Sequence, residues 1–279
     1  MLKKISHKIK LMLYSRKLQS RLKIASCNLE RPRSIIFYTT HKCASTFVQR
    51  LFEIISKNAE YELVDYAGTI WGAGDRFKNI ETPYELFLER AYSDLYSLNG
   101  KIYGPQREYL DFPGRNKFKH IFFLRDPRDV LVSAYYSFAF THTKPLRSGD
   151  RDAFLQQRAQ IQEQEIDAYV LEQAEEWIVP FYHNYQKLRD TADDYLYLQY
   201  ALFINDTAEF IKKISDFCAL SPSEKEIRTL MQEASPVQIR EKMTHKRSGK
   251  TGQYLEKLRP ETIEKLNDIL ADVLREWEF

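Results

Sequence analysis

Apolar residues in this chain fall into short continuous runs that alternate with longer stretches of helical spacing. Segments 33–38 and 119–124 are β-favouring apolar runs, which predict buried strands. Shorter runs predict three further strands, at 62–66, 101–104 and 195–200. Apolar positions three and four residues apart predict helices at 45–55, 83–98, about 127–140, 165–189, 207–218 and 260–277. This alternation predicts a three-layer α/β fold, with a central, mainly parallel β-sheet flanked by helices.

Segments that lack periodicity are predicted to be loops. A glycine-containing loop that holds Trp71 is predicted over 69–75, a mobile loop over the polar residues 141–160, and a basic loop over 244–252. A further helix is predicted to begin within 221–224, with Pro222 in its first turn.

Residues 2–24 combine helical spacing with a strong positive charge. The apolar residues of the stripe are Leu2, Ile5, Ile9, Met12 and Leu13. Lysines lie between them, and the pattern predicts a basic amphipathic helix. Such a helix either lies on an anionic membrane surface or packs on the body of the protein through its apolar stripe. We therefore divide the chain into an N-terminal helical segment, 1–30, and one domain, 31–279.

The positive charge of the chain is concentrated at its N-terminus. Residues 1–33 carry ten Lys or Arg and one acidic residue, so the remaining 246 residues hold 32 basic against 38 acidic side chains. A body with this negative balance is not expected to bind nucleic acid.

The cysteines and the apolar runs bear on the compartment of the protein. Cys27, Cys43 and Cys218 are too few and too widely spaced for a disulfide framework or a metal site. No apolar run reaches the roughly 18 residues that span a bilayer. Basic residues interrupt the apolar stretches that a secretory signal would need. We therefore expect a cytoplasmic protein without a bound metal.

The polar loop 39–46 between the first strand and its helix has the composition of a phosphate-binding loop. The start of the helix offers backbone N–H groups, Lys42 offers a positive charge, and Ser45 and Thr46 offer hydroxyl donors. The Walker A pattern is absent, because the lysine precedes the small residues. The alternative is an ordinary strand–helix junction with a solvated lysine.

A second cationic element follows the strand at 119–124. Arg125 ends the strand, Asp126 is a candidate N-cap, Pro127 suits the first helical position, and Ser133 lies two turns into the helix. Arg125 is suited to a bidentate contact with a phosphate, although a structural arginine paired with a carboxylate is the alternative.

The order of these elements resembles the sulfotransferases that use 3′-phosphoadenosine-5′-phosphosulfate (PAPS) and release 3′-phosphoadenosine-5′-phosphate (PAP). The resemblance covers about 34–277 and implies a P-loop NTPase-like sulfotransferase fold. The family's first motif is roughly Pro-Lys-Ser-Gly-Thr-Thr-Trp, and segment 41–47 reads His-Lys-Cys-Ala-Ser-Thr-Phe. The second has an Arg and a Ser eight residues apart, as Arg125 and Ser133 are here. The late motif is roughly Arg-Lys-Gly-x-x-Gly, and segment 247–252 reads Arg-Ser-Gly-Lys-Thr-Gly.

By this resemblance each motif would hold one part of PAPS. The residues implied at the 5′-phosphosulfate end are Lys42, Cys43, Ala44, Ser45 and Thr46. Those implied at the 3′-phosphate are Arg125, Ser133, Arg247, Ser248 and the backbone around Gly249. Tyr200 and Ser235 would lie near the adenine. Lys42 would also stabilise the charge that develops on the leaving oxygen.

The catalytic base is where the chain departs from the family. Its cytosolic branch has Lys-x-His at a fixed distance before the Arg of the second motif, and Tyr103 stands at the histidine position here. A tyrosine with an ordinary pKa is a poor base at neutral pH. Other branches use a carboxylate beyond the first helix, where Asp65 lies. We rank Asp65 before Tyr103 and His41, with His142 as a further option.

The sequence thus predicts an enzyme that transfers a sulfuryl group from PAPS to a hydroxyl or amine of a small-molecule, lipid or carbohydrate acceptor. The loops at 66–82 and 141–160 are expected to shape the acceptor pocket. Two other functions stay open. One is a P-loop-like phosphotransferase such as a kinase, and the other is a non-catalytic nucleotide-binding scaffold of the same fold. The oligomeric state is not predicted.

Overall fold

The computed structural model describes residues 2–22, 30–56, 60–77, 80, 84–234 and 249–279, with side chains in the first segment described from residue 11. Its single sheet has five strands: β1 (Ile35–Thr39), β2 (Glu62–Val64), β3 (Lys101–Gln106), β4 (Lys119–Leu124) and β5 (Asp194–Gln199). Their order is β2-β3-β1-β4-β5, and every neighbouring pair is parallel. The predicted α/β fold is confirmed.

Helices cover both faces of the sheet. The first eight are α1 (Leu2–Leu22), α2 (Ser45–Ile55), α3 (Tyr66–Gly72), α4 (Tyr84–Arg90), α5 (Tyr92–Leu95), α6 (Pro127–Tyr136), α7 (Ser148–Glu163) and α8 (Ile166–Gln173). The others are α9 (Val179–Asp190), α10 (Tyr200–Asn205), α11 (Thr207–Cys218), α12 (Glu224–Ala234), α13 (Gln253–Lys257), α14 (Pro260–Ile269) and α15 (Ala271–Glu276). Single π-helical turns follow α6 and α8, at 137–141 and 174–178. The helices predicted at 45–55 and 207–218 are confirmed to the residue.

Two predicted loops are wrong. Segment 69–75 belongs to α3 and to a 3-10 turn that starts at Gly74, because Asp65 caps α3 and the helix buries Ile70. Segment 141–160 contains most of α7, which buries only Ile161 and therefore lacks the apolar spacing that marks a helix in sequence.

The predicted place of Pro222 is also wrong. Helix α12 begins at Glu224, so Pro222 precedes it. Ser223 explains the later start, because its hydroxyl accepts a hydrogen bond from Glu226 N at 3.3 Å and its own N–H donates to the Glu226 carboxylate at 2.7 Å. This reciprocal pair is a capping box.

The side chains of β1 pack alternately into two separate hydrophobic cores, one on each face of the sheet. Ile35 and Phe37 pack with α2 and α11 on one face, whereas Ile36 and Tyr38 pack with α6, α8 and α9 on the other. Both faces of the central strands are therefore buried, as expected for a parallel sheet. The residues just after β1 and β4 emerge together at the carboxyl edge, where open α/β sheets bind ligands.

The two neighbours of β1 pair with it differently. β4 pairs without interruption from Ile35–Lys119 to Thr39–Phe123. On the other side, Ile36 pairs with Tyr103, but Tyr38 pairs with Gln106. Two residue steps along β1 are thus matched by three along β3, so β3 contains one extra residue. The extra residue lies near Gly104, whose φ of 132° and approach to β1 leave no room for a side chain. A Cβ at this position would lie 2.6 Å from Phe37 O.

The second half of α1 packs on the domain. Leu18 is fully buried, and Leu11, Tyr14 and Leu22 pack against the same core. Lys17 Nζ donates to Arg76 O at 2.8 Å. Leu13, which the sequence placed in the packing stripe, is 56% exposed, so the contact stripe is rotated from the predicted one. Among the described helices, none is long and apolar enough to span a membrane.

Candidate active site

The loop after β1 takes a left-handed path without glycine. Lys42 has a φ of 65° and Ala44 a φ of 45°, and Ala44 is the N-cap of α2. The side chain of Ala44 provides no cap, so the first N–H groups of α2 are directed toward the loop. Backbone N–H groups in this arrangement, with the positive end of the helix dipole behind them, suit a phosphate or sulfate.

Cys43 fixes the loop to the sheet. Its side chain is fully buried, and Sγ donates to Phe123 O at 3.4 Å. Burial raises the pKa of the thiol to about 12, so it is protonated at neutral pH. Cys43 therefore contributes backbone to the candidate site, and its thiol anchors the loop on β4.

Arg125 joins three elements at the carboxyl edge. Its side chain is only 4% exposed, and it lies 3.6 Å from the Asp129 carboxylate. Nη1 donates to Lys42 O and Nη2 to Lys250 O, each at 3.0 Å. The guanidinium also stacks 4.6 Å from the centre of the Tyr200 ring. Nε is buried without a hydrogen-bond partner among the described residues.

Asp129 holds the late loop beside Arg125. Its carboxylate accepts hydrogen bonds from Gly252 N at 2.8 Å and Tyr254 N at 3.3 Å. Burial raises the pKa of this carboxyl, while Arg125 and the two N–H donors oppose the rise. Tyr200 also holds the late loop, because its hydroxyl donates a hydrogen bond to Gly249 O at 2.9 Å. The predicted residues Ser235, Arg247 and Ser248 lie outside the described residues.

The start of α6 follows the prediction. Asp126 is the N-cap, accepting from Arg128 N at 2.9 Å, and Pro127 occupies the first helical position. Ser133 lies two turns along α6 and is partly exposed. At the end of this helix, Ser137 accepts a hydrogen bond from Lys42 Nζ at 3.1 Å. The loop lysine is therefore directed across the mouth of the site toward α6.

Two tyrosines of α9 hold the ends of three strands. The Tyr185 hydroxyl lies 2.8 Å from Gln106 O and 3.2 Å from Thr39 O, and the Tyr182 hydroxyl donates to Arg125 O. Both side chains are fully buried, which raises the pKa of each hydroxyl. They stay protonated and fix the carbonyls at the ends of β1, β3 and β4.

Tyr103 is placed away from this edge. It is 3% exposed, stacks near Tyr66 and Tyr96, and its hydroxyl accepts from Ser97 N at 2.7 Å. Because β3 contains one extra residue, Gln106 and not Pro105 pairs with Tyr38 near the end of the strand. The next residue, Arg107, donates from Nη2 to Ser45 Oγ at 2.8 Å. Thr46, the other predicted hydroxyl, is exposed in the first turn of α2.

Asp65 caps α3 on the β3 side of the site. Its Oδ1 accepts from Gly68 N at 2.7 Å. Burial raises the pKa of this carboxyl, and both that hydrogen bond and Arg107 oppose the rise. Asp65 also borders a cavity of about 480 Å³. The other residues that line it are Leu22, Phe37, Gln49, Phe52, Glu53, Leu63, Gly68, Thr69, Ile102, Gly104 and Pro105.

His41, in the β1–α2 loop, contacts the loop after β3 and two aromatic rings. Its Nε2 is 3.6 Å from Glu108 Oε1, and its ring packs against Phe138 and Trp177 at centroid distances of 6.4 and 6.2 Å. His142 is in the same aromatic group, 5.2 Å from Phe138. The described residues hold no group of three or more His, Cys, Asp or Glu side chains arranged as metal ligands.

The structure thus brings Lys42, Arg125, Tyr200 and Gly249 together and places Asp65 near Ser45 through Arg107. Sequence reasoning did not find Arg107, Ser137, Tyr182 or Tyr185. The tyrosines carried a weak signal, since two polar aromatics three residues apart share one helix face. Arg107 carried none, because its position depends on the extra residue in β3.

Comparisons with known proteins bear on this site and fold. The sequence model of the family described as "Sulfotransferase domain" matches residues 32–278. No curated protein matches the chain. The fold is similar to that of mouse sulfotransferase SULT7A1 complexed with PAP, at 15% identity and a TM-score of 0.57, covering 92% of this chain and 89% of that chain.

Retinol dehydratase is similar in two structures. In complex with androsterone and inactive cofactor PAP, it aligns at 15% identity and a TM-score of 0.55, covering 89% of this chain and 82% of that chain. In complex with retinol and PAP, the values are 16% and 0.50, covering 89% and 83%. At these identities the likeness concerns the fold.

Proposed function

The chain belongs to the sulfotransferase-domain family, and from this premise we propose that it transfers a sulfuryl group from PAPS to an acceptor hydroxyl or amine and releases PAP. The observation that carries the proposal is the convergence on Arg125. This buried guanidinium contacts the β1–α2 loop and the late loop at once. PAP bound to the structural neighbours supports the same donor.

The donor would lie along the carboxyl edge of β1 and β4. The start of α2, with Lys42, Ser45 and Thr46, is suited to the 5′-phosphosulfate end. Arg125 and Ser133 are suited to the 3′-phosphate, and Gly249 presents backbone beside Tyr200. On the motif resemblance we also assign Arg247 and Ser248 to the 3′-phosphate. On the same ground we assign Tyr200 and Ser235 to the adenine.

Transfer requires an in-line approach of the acceptor to sulfur. The acceptor oxygen or nitrogen forms a bond to sulfur as the bond from sulfur to the bridging oxygen of PAPS breaks. The electron pair of that bond stays on the 5′-phosphate of PAP, and Lys42 Nζ is suited to stabilise the growing charge. The acceptor proton passes to a base.

We assign the base to Asp65. It is a carboxylate on the β3 side, it borders the cavity, and its raised pKa brings it closer to neutral pH, where a general base is more effective. His41 is the second candidate, since it lies on the rim of the site. Tyr103 is the weakest, because its hydroxyl is buried in the core.

The family implies a small-molecule acceptor, and we extend this to a lipid or carbohydrate hydroxyl or amine. The cavity beside Asp65 supports an acceptor with an apolar part, because six of its lining residues are Leu22, Phe37, Phe52, Leu63, Ile102 and Pro105. The androsterone and retinol complexes of retinol dehydratase are consistent with an apolar alcohol.

Nucleotide binding tests the donor directly. Calorimetric titration should show that PAP binds far more tightly than 5′-AMP or ATP. Preference for ATP would instead indicate a phosphotransferase. Radiolabelled sulfate transferred from PAPS into a lipid or sugar fraction of an extract would then identify the acceptor. Tight PAP binding without transfer to any fraction would favour a binding scaffold.

We further propose a cytoplasmic protein whose first turns of α1 contact anionic membranes. The described packing of α1 on the domain comes from Leu11, Tyr14, Leu18 and Leu22, so deletion of residues 2–10 should leave the domain folded and able to bind PAP. Each lost Lys should weaken binding to anionic vesicles by about 1 kcal/mol. Co-sedimentation of both proteins at low and high salt measures this effect, and equal binding at both salts would overturn the membrane contact.

A further inference from the structure

Arg107 lies between the two halves of the site that the proposed function separates. The donor half is the β1–α2 loop, and the acceptor half is the Asp65 side of the cavity. Arg107 follows β3 immediately and is half-buried beside both. Burial lowers the pKa of its guanidinium, while Asp65 and Glu108 oppose that effect, and the group remains a cation at neutral pH.

The contact with the donor half is a hydrogen bond. Nη2 of Arg107 donates to Ser45 Oγ at 2.8 Å, and this contact fixes the rotamer of the first hydroxyl of α2. A hydroxyl whose oxygen accepts from a cation keeps its own proton available as a donor. Ser45 is thereby arranged to donate to an oxygen of a bound phosphosulfate.

The contact with the acceptor half is electrostatic. Arg107 lowers the pKa of the Asp65 carboxyl against the effect of burial. The other charged groups nearby are engaged elsewhere: on α2, Glu53 lies 3.1 Å from Arg50, and on β2, Glu62 pairs with Lys101. On the loop after β3, Glu108 lies 3.6 Å from His41. Within α3, Tyr66 donates its hydroxyl to Leu95 O at 2.6 Å.

We propose that Arg107 is a positioning residue of the transfer site, which orients Ser45 toward the phosphosulfate and brings a positive charge to the Asp65 side of the site. The inference rests on the proposed sulfuryl transfer. One cation thereby couples the donor loop to the base, and the extra residue of β3 is what brings it to the edge.

The first test is donor binding by calorimetry. Arg107→Gln should weaken PAPS binding about 2- to 10-fold, as for one lost hydrogen bond, while the preference for PAP over 5′-AMP is retained. Ser45→Ala should give a similar loss, and the double variant little more than either single one. Arg228→Gln is the matched control, because Arg228 is an exposed arginine that pairs only with Glu224 in the described structure.

The second test is the titration of Asp65 in the ligand-free protein. Selective ¹³C labelling of aspartate carboxyls, with Asp65→Asn for assignment, should show the Asp65 pKa moving to higher pH in Arg107→Gln. Arg107→Lys should leave it near the wild-type position, because the charge is kept. Ser45→Ala should not move it, which separates the electrostatic role from the hydrogen bond.

The outcomes distinguish this inference from the proposed function. Wild-type protein that fails to bind PAPS overturns the proposed function, whereas the ligand-free titration still reports on Arg107. Unchanged Asp65 titration in Arg107→Gln, or additive losses of PAPS affinity in the double variant with Ser45→Ala, overturns the positioning role. If Arg107→Gln does not fold, Arg107→Met, which keeps the apolar stem of the side chain and removes the charge, takes its place in both tests.

Discussion

The two neighbours of β1 define two unlike regions of the site. On the β4 side the pairing is unbroken, Arg125 follows the strand directly, and its contacts reach both the β1–α2 loop and the late loop. On the β3 side the register shifts by one residue near Gly104. Arg107 stands at the edge there, and Tyr103 is withdrawn into the core.

The difference between the β4 side and the β3 side indicates that the two sides have separate roles. The β4 side is regular and keeps the Arg and Ser eight residues apart that the second motif of the family has, here Arg125 and Ser133. The β3 side departs from the family pattern at the candidate base, where Tyr103 stands at the histidine position. A change on the β4 side should therefore alter nucleotide selectivity, and a change on the β3 side should alter proton transfer.

The largest effect is expected from Asp65→Asn. The substitution removes the ionisable oxygen but keeps the shape and the contact with Gly68 N, so kcat should fall by about 10²- to 10⁴-fold with PAP affinity nearly unchanged. Tyr103→Phe and His41→Ala should be milder. Turnover by the three variants, each with its PAP titration, measures the comparison.

The pH profile gives an independent check on Asp65. Because burial raises the pKa of this carboxyl, the rising limb of kcat/KM should lie above the range of an ordinary aspartate. Near-normal turnover in Asp65→Asn, together with an inactive His41→Ala, would assign the base to the histidine.

The next largest effect should come from Lys42→Ala, at the junction of the two regions. Its charge is placed to meet negative charge that grows in the transition state, so kcat should fall by about 10²- to 10³-fold, more than PAPS binding weakens. Ser137→Ala, which removes one hydrogen-bond partner of Lys42 Nζ, is the matched control and should cost far less. A raised KM with unchanged kcat would limit Lys42 to binding the ground state.

A smaller effect, confined to selectivity, should follow from changes on the β4 side. Arg125→Ala should remove about 10- to 100-fold of the preference for PAP over 5′-AMP, since a hydrogen bond to a charged group contributes about 1.5–3 kcal/mol. Ser133→Ala should remove part of it without disturbing the buried contacts of Arg125. Equal affinities for PAP and 5′-AMP in the wild-type protein would contradict the assignment of the 3′-phosphate.

On the β3 side, Gly104→Ala should disturb the register. The new Cβ would meet Phe37 O, and the backbone at a φ of 132° disfavours any side chain, so the free energy of unfolding should fall by about 1–3 kcal/mol. Denaturant unfolding measures this loss. PAP-over-AMP preference should survive in the folded fraction, and its loss would show that the two regions are not separable.

The smallest effect should be a gain in stability. Ala44 lies in the left-handed region at the position where the family motif has glycine, a conformation that costs alanine roughly 1–2 kcal/mol. Glycine relieves this cost but loses more backbone entropy on folding. Ala44→Gly should therefore raise the free energy of unfolding by up to about 1 kcal/mol, and a thermal melt that shows destabilisation would contradict the strain.

Sequence alone predicted the regular parts of this molecule. The apolar runs located every strand, and helices with strong apolar spacing, such as α2 and α11, were predicted to the residue. Helix α7 was missed because its surface is almost wholly exposed. At the site, Arg125 and Lys42 were found from local order along the chain. Arg107 was not, because a single extra residue in β3 decides which side chain reaches the edge.

The burial of Cys43 offers a way to measure how often the β1–α2 loop opens. A thiol with a pKa of about 12 hardly reacts with alkylating reagents until it leaves its cover, so its labelling rate counts the openings of the loop. Cys218 is equally buried, with a pKa also of about 12, but it belongs to α11. The ratio of the two labelling rates would then separate local opening of the donor loop from general unfolding of the domain, and a bound donor should slow only the first.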